Sequence, residues 1–318
     1  MNAQAYTRAA TDGTLDSRAP ERFDFEAIGT LWQIETPAGS PLPESLRQAI
    51  ARRIEEFDAV YSRFRADSLV AILAREPGRV EFPADSLELF ALYDRLVAAT
   101  SGAVDPLVGR SLELLGYDAS YSLTPSQPTV AEQAMQDERG RASWFTDVRR
   151  HGRIVETTRP VVIDVGAAGK GYLVDIVSAL LVEHGLTEFV VDGSGDLRHR
   201  GPADAPGVRI GLEHPLQPGK AIGVATLANA ALCASASNRR AWGDGQHHIL
   251  DARSGNPARE VIATWVVAAD TALADGLATA LFFTGAHELA KTFHFSYVRM
   301  YADGRAERSR DFPGELFS

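Results

Sequence analysis

Residues 160–185, PVVIDVGAAGKGYLVDIVSALLVEHG, combine an apolar run, three glycines and a helical pattern. The run PVVIDV (160–165) predicts a buried strand, because apolar β-branched residues favour a pleated backbone. From Tyr172 onward apolar residues recur at helical spacing, which predicts a helix over 172–185 that ends at Gly185. Three glycines lie between the two elements. The sequence therefore predicts a strand–loop–helix unit whose loop backbone a ligand can approach closely.

The rest of the chain mixes helices and strands without strict alternation. Helical spacing predicts helices over 44–61, 86–102 and 271–285, the last of them capped by Thr271. Strand patterns cover 27–35, 188–192, 209–214, 221–227 and 263–269. Because a Rossmann fold needs regular alternation, we predict an α+β fold instead, a single large layered domain of mixed sheets and helices.

The ends of the chain and its apolar runs suggest where the protein works. We expect residues 1–21 to form a flexible N-terminal tail and 22–318 to form the domain. The tail lacks the apolar core of a secretory signal, and no apolar run reaches the roughly 20 residues that span a bilayer. We therefore expect a cytoplasmic protein with no membrane partner.

Composition excludes several classes of protein. The chain has 318 residues, of which 45% are hydrophobic and 23% charged, as in ordinary globular proteins. Its 42 acidic and 32 basic residues give a net charge of −10, which repels the phosphate backbone of nucleic acids. We expect no nucleic-acid partner. A single cysteine, Cys233, rules out an intramolecular disulfide, and no Cys/His cluster offers a structural zinc site.

The glycine-rich loop is the first candidate for chemistry. Gly166, Gly169 and Gly171 allow close backbone approach, the helix start presents free amides, and Lys170 adds a positive charge. This combination suits a phosphate or diphosphate. The spacing does not match a P-loop, because only two residues separate Gly166 from the Gly-Lys pair. A tight turn with a surface lysine is an equally open interpretation.

Two polar side chains lie four residues apart on the last predicted helix. Asp275 and Thr279 therefore share one face of that helix. A carboxylate, a hydroxyl and a backbone carbonyl together form an oxygen set that suits Mg²⁺. The alternative is structural, with the carboxylate bonding backbone amides and the hydroxyl bonding its own helix. The residues alone favour this alternative.

Two polar loops supply further candidates. In HHILDARSG (247–255), His248 could act as a general base and Arg253 as the partner of an anion. In SGAVDP (101–106), Asp105 precedes a bend that proline fixes. Taken singly, each of these signals is weak.

Eight blocks, taken together and in order, resemble the ApbE family, the FAD:protein FMN transferases once called thiamine-biosynthesis lipoproteins. A chance match to one block is easy, whereas a chance match to all eight in order is not. The blocks are AIGT (27–30), YSRFRADS (61–68), SGAVDPLVGRSLELLGY (101–117), IDVGAAGKGYLVD (163–175), VVDGSGDLRHRG (190–201), IGLEHP (210–215), HHILDARSG (247–255) and ADGLATALFFTG (274–285).

The resemblance implies an ApbE-like fold related to the T-fold, and an enzyme that uses FAD as substrate together with Mg²⁺ or Mn²⁺. Such an enzyme transfers the FMN half of FAD to a Ser or Thr hydroxyl of an acceptor flavoprotein and releases AMP. Two alternatives stay open. One is a metal-dependent FAD pyrophosphatase that gives FMN and AMP, and the other is a flavin-binding protein without turnover.

The resemblance also implies roles for individual residues. The matching positions place the metal on the Ala167 carbonyl and on the side chains of Asp275 and Thr279. His248 falls near the reacting phosphate, and either His248 or Asp251 would take the proton of the acceptor hydroxyl. The predicted contacts with FAD are Ile28, Phe64, Ala103, Val104, Asp105, Asp164, Lys170, Leu250 and Arg253. The chain departs from the family's usual residues at Ile28, Ala74, Val104, Ser194 and Ala236.

Overall fold

The structure is a computed structural model, and it describes residues 19–129, 133, 136 and 138–317. Residues 1–18 of the predicted N-terminal tail lie outside the described residues. The first strand begins at Glu21, one residue before the predicted start of the domain. None of the described helices is both long and apolar enough to cross a membrane.

The predicted helices 44–61, 86–102 and 271–285 are present, although the last two are shorter than predicted. The helices are α1 (Glu44–Tyr61), α2 (Leu69–Arg75), α3 (Ser86–Ala99), α4 (Gly109–Leu114), α5 (Trp144–Asp147), α6 (Gly169–Glu183), α7 (Thr271–Ala280) and α8 (Ala286–Leu289), with a 3₁₀ helix at Pro106–Val108. The longer strands are β1 (Glu21–Ala27), β2 (Thr30–Thr36), β6 (Phe189–Asp192), β7 (Asp196–Arg200), β8 (Val208–Glu213), β9 (Ala221–Leu227), β10 (Ala231–Ala236), β15 (Val261–Ala268) and β16 (Ser296–Tyr301). The shorter strands are β3 (Arg79–Glu81), β4 (Val148–His151), β5 (Ile154–Thr157), β11 (Ala241–Trp242), β12 (Gln246–His247), β13 (Leu250–Asp251), β14 (Asn256–Pro257), β17 (Ala306–Arg308) and β18 (Gly314–Leu316).

Among the described residues, eight strands form the central sheet in the order β1-β2-β6-β7-β10-β15-β16-β17. Every neighbouring pair in this sheet is antiparallel. Antiparallel pairing throughout is incompatible with the parallel crossovers of a Rossmann fold. The predicted α+β fold is therefore confirmed. Two smaller three-stranded sheets, β18-β9-β8 and β3-β5-β4, complete the layers together with two short hairpins.

Both faces of the central sheet are covered. Successive residues of a strand point to opposite faces, so Ala231 and Cys233 of β10 join the core under the helices. Leu232, between them, packs on the other face with Trp265 and with the strands β8 and β9. Burial on both faces explains why the central strands β10 and β15 have nearly continuous apolar sequences, whereas burial alternates along β1 and β16.

The predicted strand at 160–165 is wrong, because this segment joins no sheet. Its amides bond to loop and helix carbonyls instead, with Val161 N donating to Leu73 O at 2.8 Å and Asp164 N donating to Pro106 O at 2.7 Å. Every second side chain of the segment is buried, so the apolar pattern did identify a core segment. Its neighbours are α2 and the 3₁₀ helix, and the sequence of the segment does not reveal them.

The predicted strand 27–35 begins instead with a turn. Ile28 and Gly29 have φ of +44° and +75°, and the chain reverses there to pair β1 with β2. This left-handed backbone favours glycine and is uncommon for a β-branched residue. The hairpin explains why the strand starts at Thr30.

The helices α6 and α7 cap each other. Neither has a side-chain cap of its own, so the free amides of both first turns need other partners. Asp275 Oδ2 accepts a hydrogen bond from Gly171 N at 2.9 Å. In return, Asp175 of α6 accepts hydrogen bonds from Thr271 N at 3.0 Å and from Ala272 N at 2.8 Å. Thr271 is thus the first residue of α7. The prediction that Thr271 caps this helix is wrong.

Glycine at position 171 is what permits this exchange. A Cβ at Gly171 would lie 2.4 Å from Thr271 O and 2.8 Å from Asp275 Cβ. The first turns of the two helices therefore approach more closely than any residue with a side chain allows. The helix also begins at Gly169, three residues earlier than predicted, because the capped amides belong to the glycine-rich stretch.

We predict that Gly171→Ala destabilises the fold by about 1–3 kcal/mol, since a methyl group there forces α6 and α7 apart. This loss outweighs the gain in helix propensity of up to about 1 kcal/mol that alanine normally brings. Urea unfolding measures the difference. Gly285→Ala is the matched control, because Gly285 has a φ of −63° and no atom within 4 Å of an added Cβ. Equal midpoints for the two variants would contradict the prediction.

Candidate functional site

The turn before α6 starts with a fixed carboxylate. Asp164 Oδ1 accepts a hydrogen bond from Gly166 N at 2.6 Å, and Asp164 Oδ2 accepts one from Arg63 Nε at 2.6 Å. Burial opposes the ionisation of this carboxyl, but the Arg63 guanidinium outweighs burial and lowers the pKa of Asp164. Asp164 is therefore ionised and oriented beside the helix start.

Lys170 extends from the first turn of α6 to the loop 193–196. Its Nζ donates a hydrogen bond to Gly193 O at 2.8 Å and lies 2.6 Å from Asp196 Oδ2. Burial favours the neutral amine, but the carboxylates of Asp196 and Asp275 outweigh it and raise the pKa of Lys170. With only 20% of its side chain exposed, Lys170 is not the surface lysine of the alternative interpretation.

Two buried carboxylates surround this lysine. Asp275 is 5% exposed and Asp196 is 1% exposed. Among the described residues, Asp196 Oδ1 has no hydrogen-bond partner. Burial, and after it the Asp196 carboxylate, raise the pKa of Asp275 well above its usual value. Two acidic groups with one ammonium form a cluster that lacks positive charge, which favours binding of a cation.

Sequence reasoning missed Asp196. The signal was present, since this aspartate closes the loop GSGD (193–196) in one of the eight blocks. Nothing in the local pattern shows that its side chain turns back to meet Lys170 from another element. That contact exists only because β7 and α6 lie on neighbouring layers.

The available donors suit a hard divalent cation. The part of the chain that the structure describes has no group of three or more His, Cys, Asp or Glu side chains placed to bind a metal. Hydroxyl and carbonyl oxygens must therefore complete the set, and Thr279 lies one helical turn beyond Asp275. The turn that carries Ala167 packs against the same helix, since a Cβ on Gly276 would lie 3.6 Å from Ala168 Cβ. The oxygen donors of Ala167, Asp275 and Thr279 are of the kind that Mg²⁺ or Mn²⁺ prefers, and their role as metal ligands stays a prediction.

An aromatic cluster brings two predicted FAD contacts together. Phe64 stacks on Tyr121 with a centroid distance of 5.2 Å and meets the ring of Tyr117 edge-on at 5.5 Å. Tyr117 in turn stacks on Trp242 at 5.7 Å, and Leu250 packs into the same cluster. Phe64 and Leu250, which lie far apart in sequence, thus line one aromatic surface. Such a surface suits a flat aromatic ligand.

The loop 101–106 lies against the turn that follows Leu250. Ala252 N donates a hydrogen bond to Ala103 O at 3.0 Å, which joins two of the sequence blocks. The carboxylate of Asp105 accepts hydrogen bonds from Leu107 N and from Trp144 N, both at 2.8 Å. Asp105 therefore holds the backbone of this loop in place, and its contact with FAD stays a prediction.

Asp251 and Arg253 bind each other. Arg253 Nε donates to Asp251 Oδ1 at 2.9 Å, and the Arg253 amide donates to the same oxygen at 3.0 Å. A carboxylate in this pair is a poor acceptor for another proton, so a role for Asp251 as base requires the pair to open.

Ile28 is half-buried in the β1–β2 turn and Val104 is 3% exposed. FAD contacts at these positions also stay predictions.

The two adjacent histidines have different surroundings. His247 Nε2 bonds to Ala258 O at 2.7 Å, and Ile249 N donates to His247 Nδ1 at 3.3 Å. His247 is therefore committed to its turn. Among the described residues, His248 Nδ1 has no partner. Burial and the charge of Arg240 lower the pKa of His248 to about 3, so its ring is neutral at pH 7.

Comparison with known proteins decides the family. The sequence model of the ApbE family matches residues 28–299, which is most of the chain. This chain belongs to the ApbE family. Among curated proteins, it is similar to the "FAD:protein FMN transferase" of Rhodobacter capsulatus, with 27% identity over 283 residues, 85% of this chain and 53% of that protein. It is also similar to the protein of the same name from Escherichia coli K12, with 24% identity over 276 residues, 83% of this chain and 78% of that one.

The chain thus spans about half the length of its Rhodobacter relative. Solved structures of ApbE proteins have the same fold. The ApbE protein from Thermotoga maritima aligns with a TM-score of 0.79 and 25% identity over 93% of this chain and 100% of that one. The flavin transferase ApbE from Vibrio cholerae aligns with a TM-score of 0.76 and 22% identity over 92% and 98%. The expected ApbE-like fold is therefore confirmed.

We predict that His248 remains neutral from pH 8 down to about pH 5 in the ligand-free protein. Because folding lowers its pKa from 6.5 to about 3, protonation favours the unfolded chain. The contribution of His248 to stability is therefore complete above pH 6.5 and is lost as the pH falls below it. A histidine NMR titration, assigned by comparison with His248→Gln, measures this. A His248 resonance that shifts between pH 8 and pH 5 would refute the prediction.

Proposed function

We propose that this chain is a Mg²⁺-dependent FAD:protein FMN transferase. An acceptor Ser or Thr oxygen forms a bond to the phosphorus of the FMN half of FAD, the bond from that phosphorus to the bridging oxygen breaks, and AMP leaves. The observation that carries the proposal is the meeting of Lys170, Asp196 and Asp275 at the start of α6, beside Asp164. The names of the two curated relatives support it.

Charge neutralisation is the main requirement of phosphoryl transfer. In the proposed reaction Lys170 binds the diphosphate, and Phe64 with Leu250 holds the flavin. When bound, the divalent cation supplies a Lewis acid that stabilises the charge developing on the phosphate oxygens. Asp275 and Thr279 would hold that cation from one face of α7, and Ala167 would contribute its carbonyl.

His248 is the preferred base in this proposal. Its Nδ1 has no partner among the described residues and can accept the proton of the acceptor hydroxyl. A pKa of about 3 makes the ligand-free ring a weak base, and a bound diphosphate would raise this pKa because an anion stabilises the imidazolium. Asp251 is the second candidate and must first release Arg253. The acceptor flavoprotein then needs only a hydroxyl that reaches His248, with few bulky neighbours. The cytoplasm remains our predicted location for both proteins.

A direct assay tests the function. The protein is incubated with FAD, Mg²⁺ and flavoproteins from the same cell, and AMP and flavin bound to denatured protein are both measured. Flavin retained on a denatured acceptor, in proportion to the AMP released, supports the transferase. Free FMN and AMP without an acceptor indicate the pyrophosphatase instead, and flavin binding without AMP indicates a protein without turnover.

We predict that Asp275→Asn lowers Mg²⁺-dependent AMP release by about 100-fold or more, because a neutral amide is a poor ligand for Mg²⁺. The amide oxygen can still accept the hydrogen bond from Gly171 N, so the fold is kept. Asp175→Asn is the matched control, since Asp175 plays the same capping role on α7. It should change AMP release by less than about threefold. Equal losses in the two variants would reduce Asp275 to a helix cap.

A further inference from the structure

Arg63 has hydrogen-bonding capacity that the described residues leave unused. Its side chain is 3% exposed, and Nε is bonded to Asp164 Oδ2. Nη1 and Nη2 are buried and have no hydrogen-bond partner in the part of the chain that the structure describes. A guanidinium carries five N–H donors, and burying four of them unpaired is costly. These atoms therefore indicate an acceptor that lies outside the described residues.

The position of this guanidinium is fixed before any ligand binds. Arg63 Cζ lies 4.2 Å from the centroid of the Phe64 ring and 5.0 Å from that of Tyr117. The bond to Asp164 restrains the guanidinium from a third side. Packing of this kind removes most of the rotamer entropy that an arginine normally loses on binding.

The charges around Arg63 favour an anion. Arg240 lies at the exposed edge of the same cluster, where its Nη1 donates to the Tyr117 hydroxyl at 3.0 Å. Two guanidinium groups thus lie near the single carboxylate of Asp164, which leaves a net positive charge. The ring of His248 is neutral and does not change this balance. The oxygens of a phosphate, like those of a carboxylate, match the forked donors of an arginine.

We propose that Nη1 and Nη2 of Arg63 bind the FMN-side phosphate of FAD, which makes Arg63 a further substrate-binding residue beside Lys170. This inference rests on the proposed function, in which Phe64 contacts the flavin. Because Arg63 lies on the Phe64 ring, the phosphate nearest the flavin is the one within its reach. The same contact would stabilise the charge on the phosphate that is transferred.

Comparison of FMN with riboflavin tests the contact without any turnover, since the two ligands differ only in the phosphate. Flavin fluorescence titrations give both affinities for the wild type and for Arg63→Met. We expect Arg63→Met to weaken FMN binding by about tenfold or more and riboflavin binding by less than about threefold. Equal losses for both ligands, or no loss for FMN, would overturn the inference.

Two controls keep the result interpretable. Arg310→Met removes an exposed arginine far along the chain and should leave both affinities unchanged. If Arg63→Met does not fold, Arg63→Lys keeps the charge beside Asp164 and loses the fork, and FMN binding alone should weaken. If Arg63→Met weakens the binding of FMN but not of riboflavin, and the wild type releases no AMP, the proposed function is wrong and this inference stands. If the wild type releases AMP, and Arg63→Met weakens the binding of both ligands equally, only the inference is wrong.

Discussion

The reciprocal capping of the first turns of α6 and α7, by Asp275 and Asp175, is the contact on which the site depends. Asp275 caps α6 and Asp175 caps α7, and the absence of a side chain at Gly171 lets the turns meet. Each cap is worth about 1 kcal/mol, so the pair is a substantial part of the marginal stability of a domain. The same contact sets Lys170 beside Asp275. The anchoring of the fold and the assembly of the site are thus one interaction.

The charges of the site are arranged in two complementary halves. Around Lys170, the buried carboxylates of Asp196 and Asp275 leave a deficit of positive charge. Around Asp164, the guanidinium groups of Arg63 and Arg240 leave an excess of it. In the proposed complex, a divalent cation would lie in the half around Lys170, and the diphosphate bound to it would face the half around Asp164. A chain of net charge −10 can therefore still have a local positive potential that attracts an anionic nucleotide.

Local patterns drew attention to several residues of the candidate site without fixing their roles. Asp275 and Thr279 share a helix face through their spacing, and Lys170 follows from glycines at a helix start. Asp196 was not predictable, because its partner lies in another layer. Nor was Arg63, which looks like any charged residue before a phenylalanine until its burial is known. Asp251 looked like a free carboxylate, yet its neighbour two residues away binds it.

The fold divides in the same way. The sequence alone predicted the helix 44–61, five of the eighteen described strands and the lack of β–α alternation, because side-chain periodicity follows directly from the pitch of a helix or the pleat of a strand. Only the tertiary structure decided that 160–165 is not a strand and that α6 starts at Gly169. A strand exists only where another backbone offers hydrogen bonds, and a helix start is set by whatever caps its free amides. Both partners come from distant parts of the chain, so no local pattern contains them.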